Sequence, residues 1–248
     1  MMMPFFNPLY SDPMYLILMV VGMGLVFIPQ MWVKNTFNKY NEIAASRGLT
    51  GADVARAILR ENGLGHVDVE AVQGFLSDHY DPMSKKIRLS ADNYYGRAIA
   101  NIAVSAHECG HALQHAKGYF PVVVRGAMVP AVNLGSQLGP LLIMLSLVMG
   151  IGMNLGGEIA WMMAWAGVAL FGLSVVFHIV TLPVELDASG RALRVLSSHN
   201  YLTSKEMPGA RKVLTAAAFT YVATALYSLM QLAYYIWMLM GRRGNDDR

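Results

Sequence analysis

His107, Glu108 and His111 lie in the run VSAHECGHALQH, from Val104 to His115, and have the residue types and spacing of a metal-dependent hydrolytic centre. Positions four apart on an α-helix stand one turn above each other, so two imidazoles can face one ion. A carboxylate beside that pair can take a proton from a water acidified by the metal and return it to a leaving amine. The pattern HExxH therefore points to zinc-dependent peptide hydrolysis, with His107 and His111 as ligands and Glu108 as general base. It is also short enough for an ordinary buried helix to match, so the rest of the chain must supply a third ligand and an open position for water.

His115 is the nearest candidate for that ligand, four residues further along the same face. Eight residues of helix separate its Cα from that of His107 by roughly 12 Å, which is too far for one tetrahedral ion. A metzincin-type extension is excluded as well, because it requires Gly at 114 and His at 117, where this chain has Gln114 and Lys117. Glu185, in TLPVELDASGRA, is the stronger candidate. A carboxylate at the edge of a long apolar tract is costly unless it has a partner or a metal. Asp187 competes with it, and Ser189, four residues beyond Glu185, could hydrogen-bond a ligand. His79, Tyr80, Arg191, His199 and Tyr221 could each stabilise an oxyanion if folded into the cleft. Cys109 is expected to be a small buried residue and His178 to pack near an interface.

The elements that must position these groups are membrane helices. The 248 residues are 55% hydrophobic and 14% charged, against roughly 25% charged in an average soluble domain. Their mean hydropathy is +0.39. The charges leave four long uncharged tracts, Pro13 to Val33, Gly126 to Gly157, Ile159 to Val184 and Val213 to Gly241. Each can hold the roughly 20 apolar residues of a spanning helix. The expectation is one membrane-embedded domain over residues 1–248, with spans near 14–33, 138–153, 159–181 and 216–240 and a water-soluble region near 34–125. Gly126, Pro130, Gly135 and Pro140 predict a broken or interfacial approach to the second span. The first tract has neither a basic n-region nor a small-residue cleavage site, so it reads as an anchor rather than a signal peptide.

Within the soluble region, Thr50 to Asp53 predicts a capping box opening a short helix, with Val54, Ala55, Ile58 and Leu59 as its apolar stripe. Alternation around Val67, Val69 and Ala71, a turn at Tyr80 to Pro82 and alternation again from Lys86 to Ser90 predict two or three short strands. One of these could offer a free edge to an extended peptide. A long helix from Ala98 to Lys117 carries the motif, and Gly118 ends it.

Eleven basic residues lie between Lys34 and Arg125, five lie between Glu185 and Lys212, and Asn154 to Glu158 has none. The positive-inside rule then puts both polar regions in the cytoplasm and the N-terminus outside. Arg242 and Arg243 run against the outward C-terminus that this topology implies. Two crossings bring the chain back to the side of the HExxH helix by Glu185, so ligand and motif can meet. A net charge of +3 and the scattered basic residues give no reason to invoke nucleic acid.

The runs SDHYDPMSKKIRLS, AVSAHECGHALQHAKGY, VVVRGAMVPAVN, VTLPVELDASGRAL and LTAAAFTYVATAL occur in that order. From about Leu49 to Leu232 they resemble the YugP-type membrane zinc metallopeptidases of bacteria, and more distantly HtpX-like enzymes. The resemblance implies a Zn2+-dependent, gluzincin-like endopeptidase of the bacterial inner membrane. By position, His107, His111 and Glu185 would be the metal ligands and Glu108 the general base. The expected fold is a mainly α integral membrane protein of about four spans with a small α+β, zincin-like cytoplasmic region. Its partners would be membrane-protein or peptide substrates and the lipid bilayer. The rival expectation is a non-catalytic, metal-stabilised membrane scaffold or adaptor, in which His115 or Asp187 would close the zinc shell.

Overall fold

In the computed structural model, residues 13–149 and 157–246 are described. The element order is α1 (Pro13–Asn41), α2 (Gly51–Glu61), β1 (Asp68–Val72), β2 (His79–Asp81), β3 (Lys86–Ser90), α3 (Ala91–Tyr95), α4 (Ile99–Ala116), α5 (Phe120–Leu147), α6 (Gly157–Ser198) and α7 (Met207–Asp246). The chain divides into two compact units. One comprises Ile28–Val124 and Thr181–Tyr221, the other Met1–Phe27, Arg125–Val180 and Val222–Arg248.

The first unit carries the motif. Its helix α2 begins as its sequence dictates: Thr50 accepts a hydrogen bond from the Asp53 backbone N–H, and the Asp53 carboxylate accepts from the Thr50 backbone. Val54, Ala55, Ile58 and Leu59 of α2 are buried with Ile87 and Leu89 of β3 and with Ile99, Ala103 and Ala106 of α4. The three strands form one sheet in the order β1-β3-β2, with β1 parallel and β2 antiparallel to β3. The turn falls later than Tyr80 to Pro82, because Tyr80 and Asp81 still pair with Ile87 and Lys86. Asp81 makes that turn by accepting from the backbone N–H groups of Met83 and Ser84. Arg88 pairs with Glu70 and Asp81, at 2.8 Å each, and so ties β3 to both neighbours.

The second unit is helical throughout its described residues. Its buried residues include Ile143 and Leu147 of α5, Ala164 and Val168 of α6, and Tyr234 and Met238 of α7. Helices α5 and α6 approach so closely that a Cβ on Gly139 would stand 2.9 Å from the Phe171 nitrogen and 3.0 Å from the Gly167 carbonyl oxygen. Small residues at such crossings are the usual means of packing helices in lipid.

Among the described residues, four helices are long and apolar enough to cross a membrane: α1, α5, α6 and α7 up to Gly241. Side chains on α1 such as Ile17, Val20 and Ile28 are 57%, 65% and 67% exposed, as befits a surface whose solvent is lipid. The approach to the second span is not broken. Helix α5 runs unbroken from Phe120 to Leu147 with Pro130 and Pro140 inside it, since neighbouring helices and local adjustment can satisfy the carbonyls that proline leaves without a donor. The end of the expected span at 150–153 and the turn residues 154–156 lie outside the described residues. Helix α6 likewise passes through Pro183 and ends only at Ser198, which puts Glu185, Asp187 and Ser189 on continuous helix.

Candidate metal centre

Helix α4 is anchored before the motif begins. The Asn101 side chain accepts from the Ala98 N–H and donates to Asn41 and Asn93. One face of the helix is fully buried, and there Cys109 lies 3.6 Å from the Ala55 carbonyl of α2. Burial pushes its thiol above the usual range, which leaves it an inert packing residue rather than a ligand.

On another face of α4, the rings of His107 and His111 stand with centroids 4.7 Å apart and planes 84° apart. Glu185 of α6 reaches between them. Its Oε2 is 3.3 Å from His107 Nε2 and 3.5 Å from His111 Nε2. The ligand atoms of these three residues all lie within 4.8 Å of one another, and among the described residues no other His, Cys, Asp or Glu joins the group. Close approach of the helices makes this meeting geometrically feasible. A Cβ on Gly110 would stand 2.5 Å from the Ala188 carbonyl oxygen, so only glycine lets α4 and α6 cross at this distance.

The donor set fits a metal ion, because the second nitrogen of each ring is already committed. Gln114 donates through Nε2 to the Val184 carbonyl at 2.7 Å and to Asp187 Oδ2 at 2.8 Å. That fixes the amide orientation and turns Oε1 towards His111 Nδ1, 3.1 Å away. An oxygen there requires the proton on Nδ1, which leaves the Nε2 lone pair facing Glu185. Ser189 Oγ, 3.2 Å from His107 Nδ1, can accept in the same way. Polar partners of this kind orient ligands and raise their basicity.

Glu108 is 6% exposed and lines a cleft of about 440 Å3 together with His107, Glu185 and Ser189. Burial pushes its carboxyl above the usual range, the two histidines oppose the shift, and the negative charges of Asp78 and Glu185 add to it. Asp78 also lines the cleft. Its carboxylate accepts from the Ser90 backbone and hydroxyl and from Asn93 Nδ2. The remaining walls are largely apolar, with Phe37, Phe75, Val104, Val213 and Leu214 among them, and carry the polar side chains of Gln30, Lys34, Thr220 and Tyr221.

The other candidates fall elsewhere. The His115 ring meets that of Tyr80 at a tilt, with centroids 5.5 Å apart. Asp187 is engaged by Gln114 and by Arg191, at 2.5 Å from the latter, and the Arg191 guanidinium in turn lies over the Tyr119 ring. His199 pairs with Glu61, His79 bonds to Ser77 next to its strand, and His178 is half-buried beside Phe177. Of the five candidates for oxyanion stabilisation, only Tyr221 lines the cleft. Two residues were overlooked. Gln114 shares a helical face with His111, three positions away, and that spacing was a usable signal. Asp78 had none, since nothing in SDHYDP distinguishes a carboxylate lining a cleft from one on the open surface.

The chain is 43% identical over 233 residues to the "Putative membrane protease YugP" of Bacillus subtilis (strain 168), covering 94% of this chain and 100% of that protein. No solved structure gives a significant match. The profile of the family described as "Putative neutral zinc metallopeptidase" matches residues 15–240, nearly the whole chain. This chain, a membrane protein by its four apolar helices and its relative, belongs to that family, and zinc is its cofactor.

Proposed function

We propose that the protein is a gluzincin-like endopeptidase that hydrolyses peptide bonds in membrane proteins or peptides near the cytoplasmic face of a bacterial inner membrane. His107, His111 and Glu185 would hold the zinc, which when bound acidifies a water and polarises the carbonyl to be attacked. Glu108 is the general base: its carboxylate borders the cleft, takes the proton from that water and delivers it to the departing amine. Strand β2, one of the two edge strands of the sheet, supports an extended substrate. Asp78 immediately precedes it and lines the cleft, and Tyr80 within it packs on His115 of α4. A peptide added to that edge would lie along the cleft. The cytoplasmic orientation is supported by the basic residues on both polar regions that flank the spans.

The observation that carries the reading is the convergence of two Nε2 atoms and one carboxylate oxygen beside a cleft-lining glutamate, with both Nδ1 atoms already bonded. A scaffold with a structural metal would require a fourth protein ligand. The described residues supply none, and the residues suggested for that place, His115 and Asp187, are engaged elsewhere. The test compares membrane-protein fragments released by wild type and by Glu108→Gln. The variant should keep its zinc and cleave on the order of 10²- to 10⁴-fold more slowly; equal rates would refute the mechanism.

A further inference from the structure

We propose that the outer faces of α1 and α7 form a binding site for the headgroup of an anionic phospholipid. Between the two helices lies a second cavity, of about 400 Å3, lined by Lys39, Arg211 and Lys212 and by no acidic residue. All three cations are exposed, and among the described residues none has an ion pair. Clustered cations with no counter-charge repel one another, so an anion that neutralises them is favoured at this position.

The cavity is graded in polarity, and it is graded the same way on both helices. Along α1 the lining runs from Trp32 through Thr36 to Lys39 and Tyr40; along α7 it runs from Arg211 and Lys212 through Thr215. The helices run in opposite directions here, so both put their cations at one end and their apolar residues at the other. Gly209 closes the cationic end against Tyr40, where a Cβ would stand 2.7 Å from the ring. Trp32 and Phe219 meet edge to face at 5.3 Å at the other end, and one turn beyond Trp32 the side chain of Ile28 is exposed. Cations, then hydroxyls, then an indole and exposed apolar side chains follow the order of phosphate, glycerol ester and acyl chain in a phospholipid entering the bilayer. Free phosphate would use only the first of the three zones.

The site stands back to back with the hydrolytic cleft. Counting about 100° per residue, Gln30, Val33, Lys34 and Phe37 of α1, which line that cleft, centre on a face turned well away from Trp32, Thr36 and Lys39, with Tyr40 at the border between the two. Val213, Leu214 and Ala217 of α7, also in the cleft wall, lie opposite Arg211, Lys212 and Thr215. A bound lipid would therefore brace two walls of the cleft from behind.

The test uses the full-length protein in detergent, with thermal unfolding and lipid retention in native mass spectrometry as readouts. The additions are phosphatidylglycerol, phosphatidylcholine with the same acyl chains, and inorganic phosphate. Phosphatidylglycerol should bind and raise the unfolding midpoint of the wild type, while the other two should not. The triple variant Lys39→Gln, Arg211→Gln, Lys212→Gln should bind phosphatidylglycerol on the order of a hundredfold more weakly, at roughly fivefold per cation. A control triple, Lys85→Gln, Lys117→Gln, Lys205→Gln, should bind like wild type. Equal effects of the two lipids on wild type, reproduction of the shift by phosphate alone, or an equal loss in the control would each overturn the proposal. If the pocket triple does not fold, Lys212→Gln alone decides: about a fivefold loss supports the site, and no loss overturns it.

Discussion

His111 can present Nε2 to a metal because Gln114 fixes the proton on Nδ1, and Gln114 is itself held by Val184 and Asp187 of the other helix. Gln114→Leu should therefore weaken zinc binding by roughly 10- to 100-fold without removing a ligand. Competition against a fluorescent chelator measures this directly, and an unchanged zinc affinity would mean that the Gln114 bond does not tune the site. Ser189→Ala should act on His107 in the same direction. At this scale the sequence was most informative where helical arithmetic applies. The pair His107 and His111, the exclusion of His115, and Ser189 placed four residues from Glu185 all follow from 3.6 residues per turn. The hold of Gln114 on Val184 and the approach of Asp78 to Glu108 depend on contacts between segments distant in the chain, and no local period encodes them.

Among the elements, the crossing of α4 and α6 decides whether a site exists. Gly110→Ala would force its Cβ against the Ala188 carbonyl, where the distance would be 2.5 Å, and so press apart the helix bearing the histidines and the helix bearing Glu185. A loss of about 1–3 kcal/mol in stability is expected from such overpacking, together with a fall in zinc content. Gly190→Ala on the same helix meets nothing within 4 Å and should match or exceed wild type by up to about 1 kcal/mol. If thermal unfolding and zinc content ranked the two variants the other way, the crossing would not be the constraint. The spans themselves were legible from uncharged tracts, but their ends were not. Glycine and proline suggested a broken approach to the second span, yet α5 continues through Pro130 and Pro140, and α6 passes through Pro183. In packed membrane helices the context overrides the local penalty, and the continuation of α6 is what delivers Glu185 on helix.

For the molecule as a whole, stability should fall in acid as Glu206 takes up a proton. Glu206 joins the segment after α1 to the start of α7, accepting from the backbone and hydroxyl of both Ser46 and Thr203 at 2.6–2.9 Å. Burial pushes its carboxyl up, but these four bonds outweigh burial and hold it at about 2, below the ordinary 4.5. A carboxyl with a depressed folded pKa contributes stability above its unfolded pKa and loses it as pH falls through the folded value. The advantage of wild type over Glu206→Gln in unfolding midpoint should thus be full above about pH 5 and shrink towards pH 2; a constant difference across that range would contradict the assignment. If Glu185 is the third ligand, zinc binding depends on a long apolar helix, α6, as well as on the helix that carries HExxH. Zinc per chain in purified wild type and Glu185→Ala tests this most directly. Wild type should hold one zinc tightly and the variant should lose it, whereas tight, undiminished zinc in Glu185→Ala would remove Glu185 from the site.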